Sequence, residues 1–381
     1  MSEYQYYEFL AVDRPLSDAD RKALRKLSSR AEITARRFTN SYEWGDFRGD
    51  PCAMMERWFD LHLYLANWGT RRLMIKLPRR LVDGDRLAAM MDGVEGFELT
   101  TAGEALIVDI TRNEEGGYDE WSDESEWLEM LAPLRDDVLA GDLRVFYLAW
   151  LVGVETETVG EETLEPLPGL GPMTDALQAF ADFFVLDPDL VAAAAERPAA
   201  PHAERISAEE VRRRIAAMDG PAKTGLLVRL FEGDPHVATE LRSMIQDRNG
   251  ASVPAAGPRT ASALWDRAEE IRQARENAEA EAAEAQRRLR AEQEELERQL
   301  HLKAIRRRGE RVWDDIETEI ARRNSGGYNA ATELLIGLQD IAESDGTLND
   351  FLVRLNSVRQ RHAAKAAFVK RLRMFQSIQL L

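Results

Sequence analysis

Between Arg71 and Arg80 the chain alternates: Leu73, Ile75 and Leu77 share one face and Arg72, Met74 and Lys76 the other, the pattern of a half-buried strand. Tyr4–Val12 is dense in aromatic and β-branched residues and is bounded by Pro15, which predicts a strand buried on both faces. Ser17 then caps a helix running to about Ser29, with Asp18 and Asp20 in the first turn, where the helix dipole favours acids. Glu32–Tyr42 is strand-like and ends at Trp44-Gly45-Asp46. Asp50-Pro51 places an N-cap before a first-turn proline. Behind it, Met54, Trp58, Leu61, Leu65 and Trp68 form a stripe that predicts one helix stopping at Gly69. A short helix over Gly84–Met91 and a hairpin of Phe97–Leu99 with Ala105–Ile110, turning near Gly103, complete the block. The order β-α-β-(β)-α-β with an added hairpin predicts an α+β sandwich of ferredoxin-like type, its third strand falling on the short, turn-rich Trp44–Arg48.

From Tyr118 to about Asn249 the periodicity is helical. Glu126–Leu139, Asp142–Leu151 and Met173–Phe184 carry apolar stripes, and the acidic loop Glu155–Gly171, with Pro166 and Pro168, is expected to be exposed and mobile. Ser207–Met218 fits a capping box through Glu210. Gly233-Asp234-Pro235 should join Lys223–Glu232 to His236–Gln246 as a tight helical hairpin. Asn249–Arg259, with Gly250, Pro254, Gly257 and Pro258, reads as a linker. Thr260 to about Arg308 holds no Pro or Gly, and such a helix would be about 70 Å long at ~1.5 Å per residue. Its heptad core is poor: Leu264, Ile271, Ala278 and Ala285 recur, but the companion seam holds Arg267, Glu281 and Arg288, and Leu289 and Leu296 continue it weakly. A charge-laced stalk, or a helix packed loosely through its alanines, is expected rather than a strong parallel dimer. Three helices come next, Arg311–Arg323, Tyr328–Ala342 and Leu348 to about Phe375, broken at Ser325-Gly326-Gly327 and at Gly346. The expected division is thus an α+β domain (1–112), an acidic helical domain (113–248), a linker (249–259), a long charged helix (260–308) and a basic helical end module (309–381).

Charge sharpens this division. The formal net charge of −18 is carried by Asn113–Asp189, where twenty acids face only Arg135 and Arg144, so the remainder is neutral. That bears on solubility and partners rather than on chemistry. The length of 381 residues, 44% hydrophobic and 31% charged, suits a soluble, largely helical chain of two or three domains. Met1–Glu8 has neither a basic n-region nor an apolar h-region, so no secretory signal is expected. The longest apolar run, Val145–Val154, has ten residues where a bilayer span needs about 20, so no membrane partner is expected. One cysteine, Cys52, excludes an intramolecular disulfide framework or a multi-cysteine zinc site, and cytoplasmic residence is the default expectation.

Catalytic signatures do not emerge. The five histidines, His62, His202, His236, His301 and His362, stand apart, so no ligand pair is set on one helix face, and His62 reads as a helix-flank residue. Gly220-Pro221-Ala222-Lys223-Thr224 lacks the glycine before lysine that a Walker loop needs, and reads as a helix break followed by a helix start. The eight acids of Glu114–Glu129 single out no acid/base pair; they read first as solvated surface, then as a docking surface for a basic partner or for the protein's own basic end, and last as a divalent-ion site, for which the Asp-x-Asp-x-Asp-Gly spacing is missing. No cofactor, metal ligand or catalytic residue is assigned. Tyr4, Tyr6 and Tyr7 with Arg71, Arg72 and Lys76 could form a base-stacking sheet, but aromatic packing under helices is the favoured reading.

The basic end is more specific. From Phe351 to Leu381 there are Arg354, Arg359, Arg361, Lys365, Lys370, Arg371 and Arg373 and not one acid. One reading is the polar side of an amphipathic terminal helix, its cations near the C-terminal end. The other is a polyanion- or partner-binding face contacting nucleic-acid phosphates. The charge of the whole chain favours the first.

Two stretches carry a resemblance. YQYYEFLAVDRPLS, with TNSYEWGDFRGDP and MERWFDLHLYLANWG, resembles a family of uncharacterised bacterial proteins found mainly in high-GC organisms. VWDDIETEIARRNSGGYNAATELLIGLQDIAESDGTLNDFLVRLNSVRQRHAAKAAFVKRL is similar to the helical tail of bacterial SWIM zinc-finger proteins. The SWIM finger is a Cys-x-Cys…Cys-x-His site, which a chain with Cys52 alone cannot build. The resemblance therefore implies a shared helical module that docks a common partner, without the zinc-dependent, nucleic-acid-linked role. The expectation is a non-catalytic cytoplasmic adaptor or scaffold that binds protein partners; the alternative is a nucleic-acid-associated factor using the basic terminal helix.

Overall fold

The computed structural model describes residues 4–45, 47–114, 126–199, 207–245 and 257–378, and divides into two compact units, Met1–Arg275 and Glu276–Leu381. In the first unit, seven strands form one sheet: β1 (Gln5–Leu10), β2 (Glu32–Ile33), β3 (Arg37–Tyr42), β4 (Leu61–Ala66), β5 (Thr70–Pro78), β6 (Phe97–Ala102) and β7 (Ala105–Asn113). Their order is β2-β3-β1-β4-β5-β7-β6 and every pairing is antiparallel. A split β-α-β sets two parallel strands apart with an antiparallel strand inserted between them; β3 and β4 flank β1 in this way, and β5 and β6 flank β7. The coarse reading, an α+β block followed by a helical body, holds.

The main departure from expectation lies at one element. α1 (Asp18–Leu27) carries the expected capping box of Ser17 and Asp20. α2 (Pro51–Arg57) starts on Asp50 as expected but ends eleven residues short of Trp68. Leu61, Leu63 and Leu65 then serve as one face of β4, buried against the helical body, while His62 and Ala66 face the other way. The residues Leu61 and Leu65 fit a helical stripe as well as an alternating one. Pairing with β1 and β5 decides for the strand, because it satisfies the backbone groups of a fully buried segment on both sides. Trp44 and Gly45 are bends rather than the expected third strand. Gly69 makes the turn into β5 at φ +99°, and a Cβ there would lie 2.2 Å from the Glu114 carbonyl oxygen.

One sheet face packs on α1 and α2 through Phe9, Phe38, Met54, Met55 and Phe59. The other is covered by α3 (Gly84–Met90), α4 (Trp127–Leu131), α5 (Pro133–Ala140), α6 (Arg144–Glu155), α7 (Asp175–Phe183) and α8 (Pro188–Ala195). α6 is buried on all sides, as its uninterrupted apolar run requires. Sheet and helical body share this core, so residue 112 is not a boundary between cores. α9 (Ala208–Ala217), α10 (Gly220–Phe231) and α11 (Val237–Ile245) come after them in the chain. α10 begins at Gly220 on an Asp219 cap, so Gly220-Pro221 opens the helix rather than breaking it.

α12 runs unbroken from Ala261 to Arg308. Its first turns, Ala261, Leu264 and Ala268, sit in the core of the first unit. In the second unit it is followed by α13 (Arg311–Ala321), α14 (Ser325–Asp345), α15 (Leu348–Arg361), α16 (Ala366–Arg371) and a 3-10 turn over Leu372–Ile378. Ser325-Gly326-Gly327 forms the first turn of α14 on an Asn324 cap, not an interruption. Ile305, Val312, Ile316, Leu335, Phe351 and Phe368 form the core of this unit. Gly337 admits Ile305 so closely that a Cβ would lie 2.2 Å from its Cδ1. Among the described residues no helix is long and apolar enough to cross a membrane.

Candidate interaction surfaces

The basic end folds onto acids that lie earlier in the same unit. Arg354 Nη1 meets Glu310 Oε2 at 2.5 Å and lies over the Trp313 ring. Arg361 Nη2 pairs with Glu317 Oε1 at 2.6 Å, while His362 Nε2 lies 2.6 Å from Glu317 Oε2. Burial pushes the Glu317 carboxyl up, but the hydrogen bonds from Arg361 and His362 outweigh it and hold the group below its ordinary range. Lys365 Nζ donates to the Ile320 carbonyl at the C-terminal end of α13 (3.2 Å). Arg371 donates to Asn329 Oδ1 (2.8 Å) and Ser325 Oγ (3.0 Å) at the start of α14. Arg354, Arg361, Lys365 and Arg371 are therefore struts tying α15 and α16 to α13 and α14. Among the described residues Arg359, half-buried, and the exposed Lys370 and Arg373 have no ion-pair partner. The chain also breaks between α15 and α16 at 362–365, so the seven cations do not share one helix.

In the first unit the acidic segment likewise meets distant arginines. Glu165, expected on a mobile loop, is wholly buried. It receives the Tyr147 hydroxyl, Arg197 Nη1 (3.2 Å), and the backbone N–H and guanidinium of Arg259 (2.9 Å each). A bridge between Leu164 and Thr260 and the bond from Glu165 N–H to the Arg259 carbonyl (2.8 Å) fix the two segments antiparallel. Farther along α12, Arg267 pairs with Glu196 at 2.6 Å, Arg272 with Asp187 at 2.5 Å and Arg275 with Asp189 at 2.9 Å. Much of the acidic body is thus a socket for the base of α12. Glu115, Asp119, Glu120, Asp123 and Glu124 lie outside the described residues.

The helical hairpin α10–α11 is fastened by a second polar network. Arg80 and Arg229 both reach Asp234 and Glu240 at 2.5–3.0 Å. Asp13 Oδ2 receives Arg135 Nη2 (2.7 Å) and lies 2.8 Å from His236 Nε2. Burial raises the Asp13 carboxyl, yet the hydrogen bonds from His236 and Arg135 dominate and hold it at about 2.

The sheet keeps its ionisable groups inside. His62, expected on a helix flank, is enclosed in β4 and stacks on Phe9 at 3.9 Å; its Nδ1–H donates to the Glu8 carbonyl (2.9 Å), and burial lowers its pKa to about 3. Glu8 is fully buried, and burial pushes it up to about 7 against the pull of Arg37, whose Nη1 is 3.1 Å away. Tyr6 is buried, Arg72 is paired with Asp109, and Lys76 Nζ donates to the Met55 and Glu56 carbonyls (2.9 Å each) at the end of α2. Those aromatic and basic residues do not form an open stacking platform. No group of three or more His, Cys, Asp or Glu side chains gathers around a common point among the described residues.

No family model, curated protein or solved structure matches the chain.

Proposed function

We propose that the protein is a non-catalytic adaptor of the bacterial cytoplasm, holding partner proteins on its two units. The observation that carries this reading is the outer face of α10. Leu227, Leu230 and Phe231 are 65%, 57% and 93% exposed on one side of a helix whose opposite side is anchored through Arg229. Large apolar side chains gathered on a surface mark protein docking. The end module, with its resemblance to SWIM-protein tails, would hold a second partner.

The alternative, a nucleic-acid-associated factor, draws on fewer cations than the composition promised, since Arg354, Arg361, Lys365 and Arg371 serve as internal struts. Its remaining support is Arg359, Lys370 and Arg373. Affinity capture with the full chain tests the adaptor reading: a Leu227→Glu/Phe231→Glu variant should lose partners retained by the wild type while its thermal unfolding is unchanged. An identical set of retained proteins counts against it. Retention on DNA or RNA at low salt that disappears in an Arg359→Gln/Lys370→Gln/Arg373→Gln variant would favour the alternative.

A further inference from the structure

From Glu276 to His301 every residue of α12 is exposed, yet its pattern is not that of a uniformly solvated rod. At ~100° per residue, Ala278, Ala282, Ala285, Leu289, Leu296 and Leu300 fall within about 40° of one line. Leu289, Leu296 and Leu300 are 55%, 57% and 57% exposed. The terminal helices do not cover this line, because they take the opposite side of α12. There Ile305 packs against Gly337, and Arg298 Nη2 meets Asp340 at 3.0 Å.

Charge along the same stretch comes in blocks of alternating sign. Residues 276–284 hold Glu276, Glu279, Glu281 and Glu284 and no base; 287–290 hold Arg287, Arg288 and Arg290 and no acid. Residues 292–297 hold Glu292, Glu294, Glu295 and Glu297 and no base; 298–308 hold five cations and no acid. Pairing within one helix accounts for part of this, but Glu281 and Lys303 have no opposite charge three or four residues away. Reversed about the point between Glu292 and Gln293, Arg288 meets Glu297, Arg290 meets Glu295 and Glu279 meets Arg306, with Arg287 against Arg298 the one like-charged pair. About that same point Leu289 falls opposite Leu296, and Ala285 opposite Leu300. Lys303 and Arg307 fall opposite Ala282 and Ala278, small residues flanked by Glu279 and Glu281. Lys303 and Arg307 also line an open groove of about 700 Å³ with Arg308 and Arg311, leaving room for a second helix end. A parallel partner in register, as a two-fold axis along the helices requires, would set every block against its own sign.

We infer that α12 pairs antiparallel with α12 of a second copy, about a two-fold axis between Glu292 and Gln293. Leucine contacts at the centre supply the attraction, and the charge blocks fix direction and register. This stands apart from the adaptor reading, since the face of α10 is unaffected if dimerisation fails.

Sedimentation equilibrium of the full chain should show a dimer. Lys303→Glu/Arg307→Glu should weaken it by about 100-fold or more, and so should Glu279→Lys/Glu281→Lys, whereas an equimolar mixture of the two variants should associate again. In a Cys52→Ser background, Leu289→Cys and Leu296→Cys should form a disulfide when mixed and none alone. A wild-type monomer at about 100 µM overturns the proposal. So does a Leu289→Cys chain that cross-links to itself, which reports parallel pairing, or a monomer that captures an acidic amphipathic peptide on this stripe.

Discussion

Glu8 shows how far a single side chain can depart from its sequence context. A strand buried on both faces encloses this carboxyl, but the sequence around YQYYEFL does not show its partners: Tyr6 Oη donates to it at 3.1 Å and Arg37 lies on its other oxygen. Its folded pKa, about 7, lies above the unfolded value, so it stabilises the fold below about pH 4.5 and loses that contribution as pH rises through about 7. Glu8→Gln should therefore gain on the order of 2–3 kcal/mol at pH 8 and almost nothing at pH 4. Urea unfolding at the two pH values measures it; an equal change at both would show that titration is not involved. The lone histidine of β4 was equally illegible. The residues flanking His62 fit a helix and a strand alike, and only strand pairing sends its ring inward to Phe9.

At the scale of elements, caps and alternation were legible and handovers between periods were not. Ser17, Asp50 and Asp83 start helices because a side-chain oxygen accepts from the first turn, a purely local interaction. The switch from α2 to β4 depends on β1 and β5 lying alongside, which no local window contains. Pro133 likewise splits the expected Glu126–Leu139 helix into α4 and α5. The docking of α10–α11 is another long-range arrangement, in which Asp13 and His236 lie 223 residues apart. Asp13 is held below its ordinary range, so its contribution is present above about pH 3.8 and fades as pH falls through about 2. Asp13→Asn should cost about 1–3 kcal/mol at pH 7. Hydrogen exchange should accelerate in α11 while β1 and β4 stay protected; uniform acceleration would mean that the hairpin does not open as a separate element.

For the whole molecule, counting charge by segment finds where the acids lie along the chain but leaves out the groups that neutralise them. Asp189, Asp187 and Glu196 find their arginines 71–86 residues later, on the first turns of α12. The acid-free terminus finds Glu310 and Glu317 in the same way. Glu165 is the most enclosed of these contacts. Glu165→Gln leaves Arg259 and Arg197 without their shared counterion and should destabilise the first unit by about 3–5 kcal/mol. A thermal melt followed at Trp150, in the core of that unit, reads it, and an unchanged midpoint would mean that the clamp contributes little. The bond between residues 163–165 and 259–262 also bears on covalent continuity. Peptide cleavage between 246 and 256 would sever the backbone without releasing the downstream piece, which stays seated by its own salt links and by Leu264 in the core. A nicked chain should run as two bands in denaturant and as one species without it.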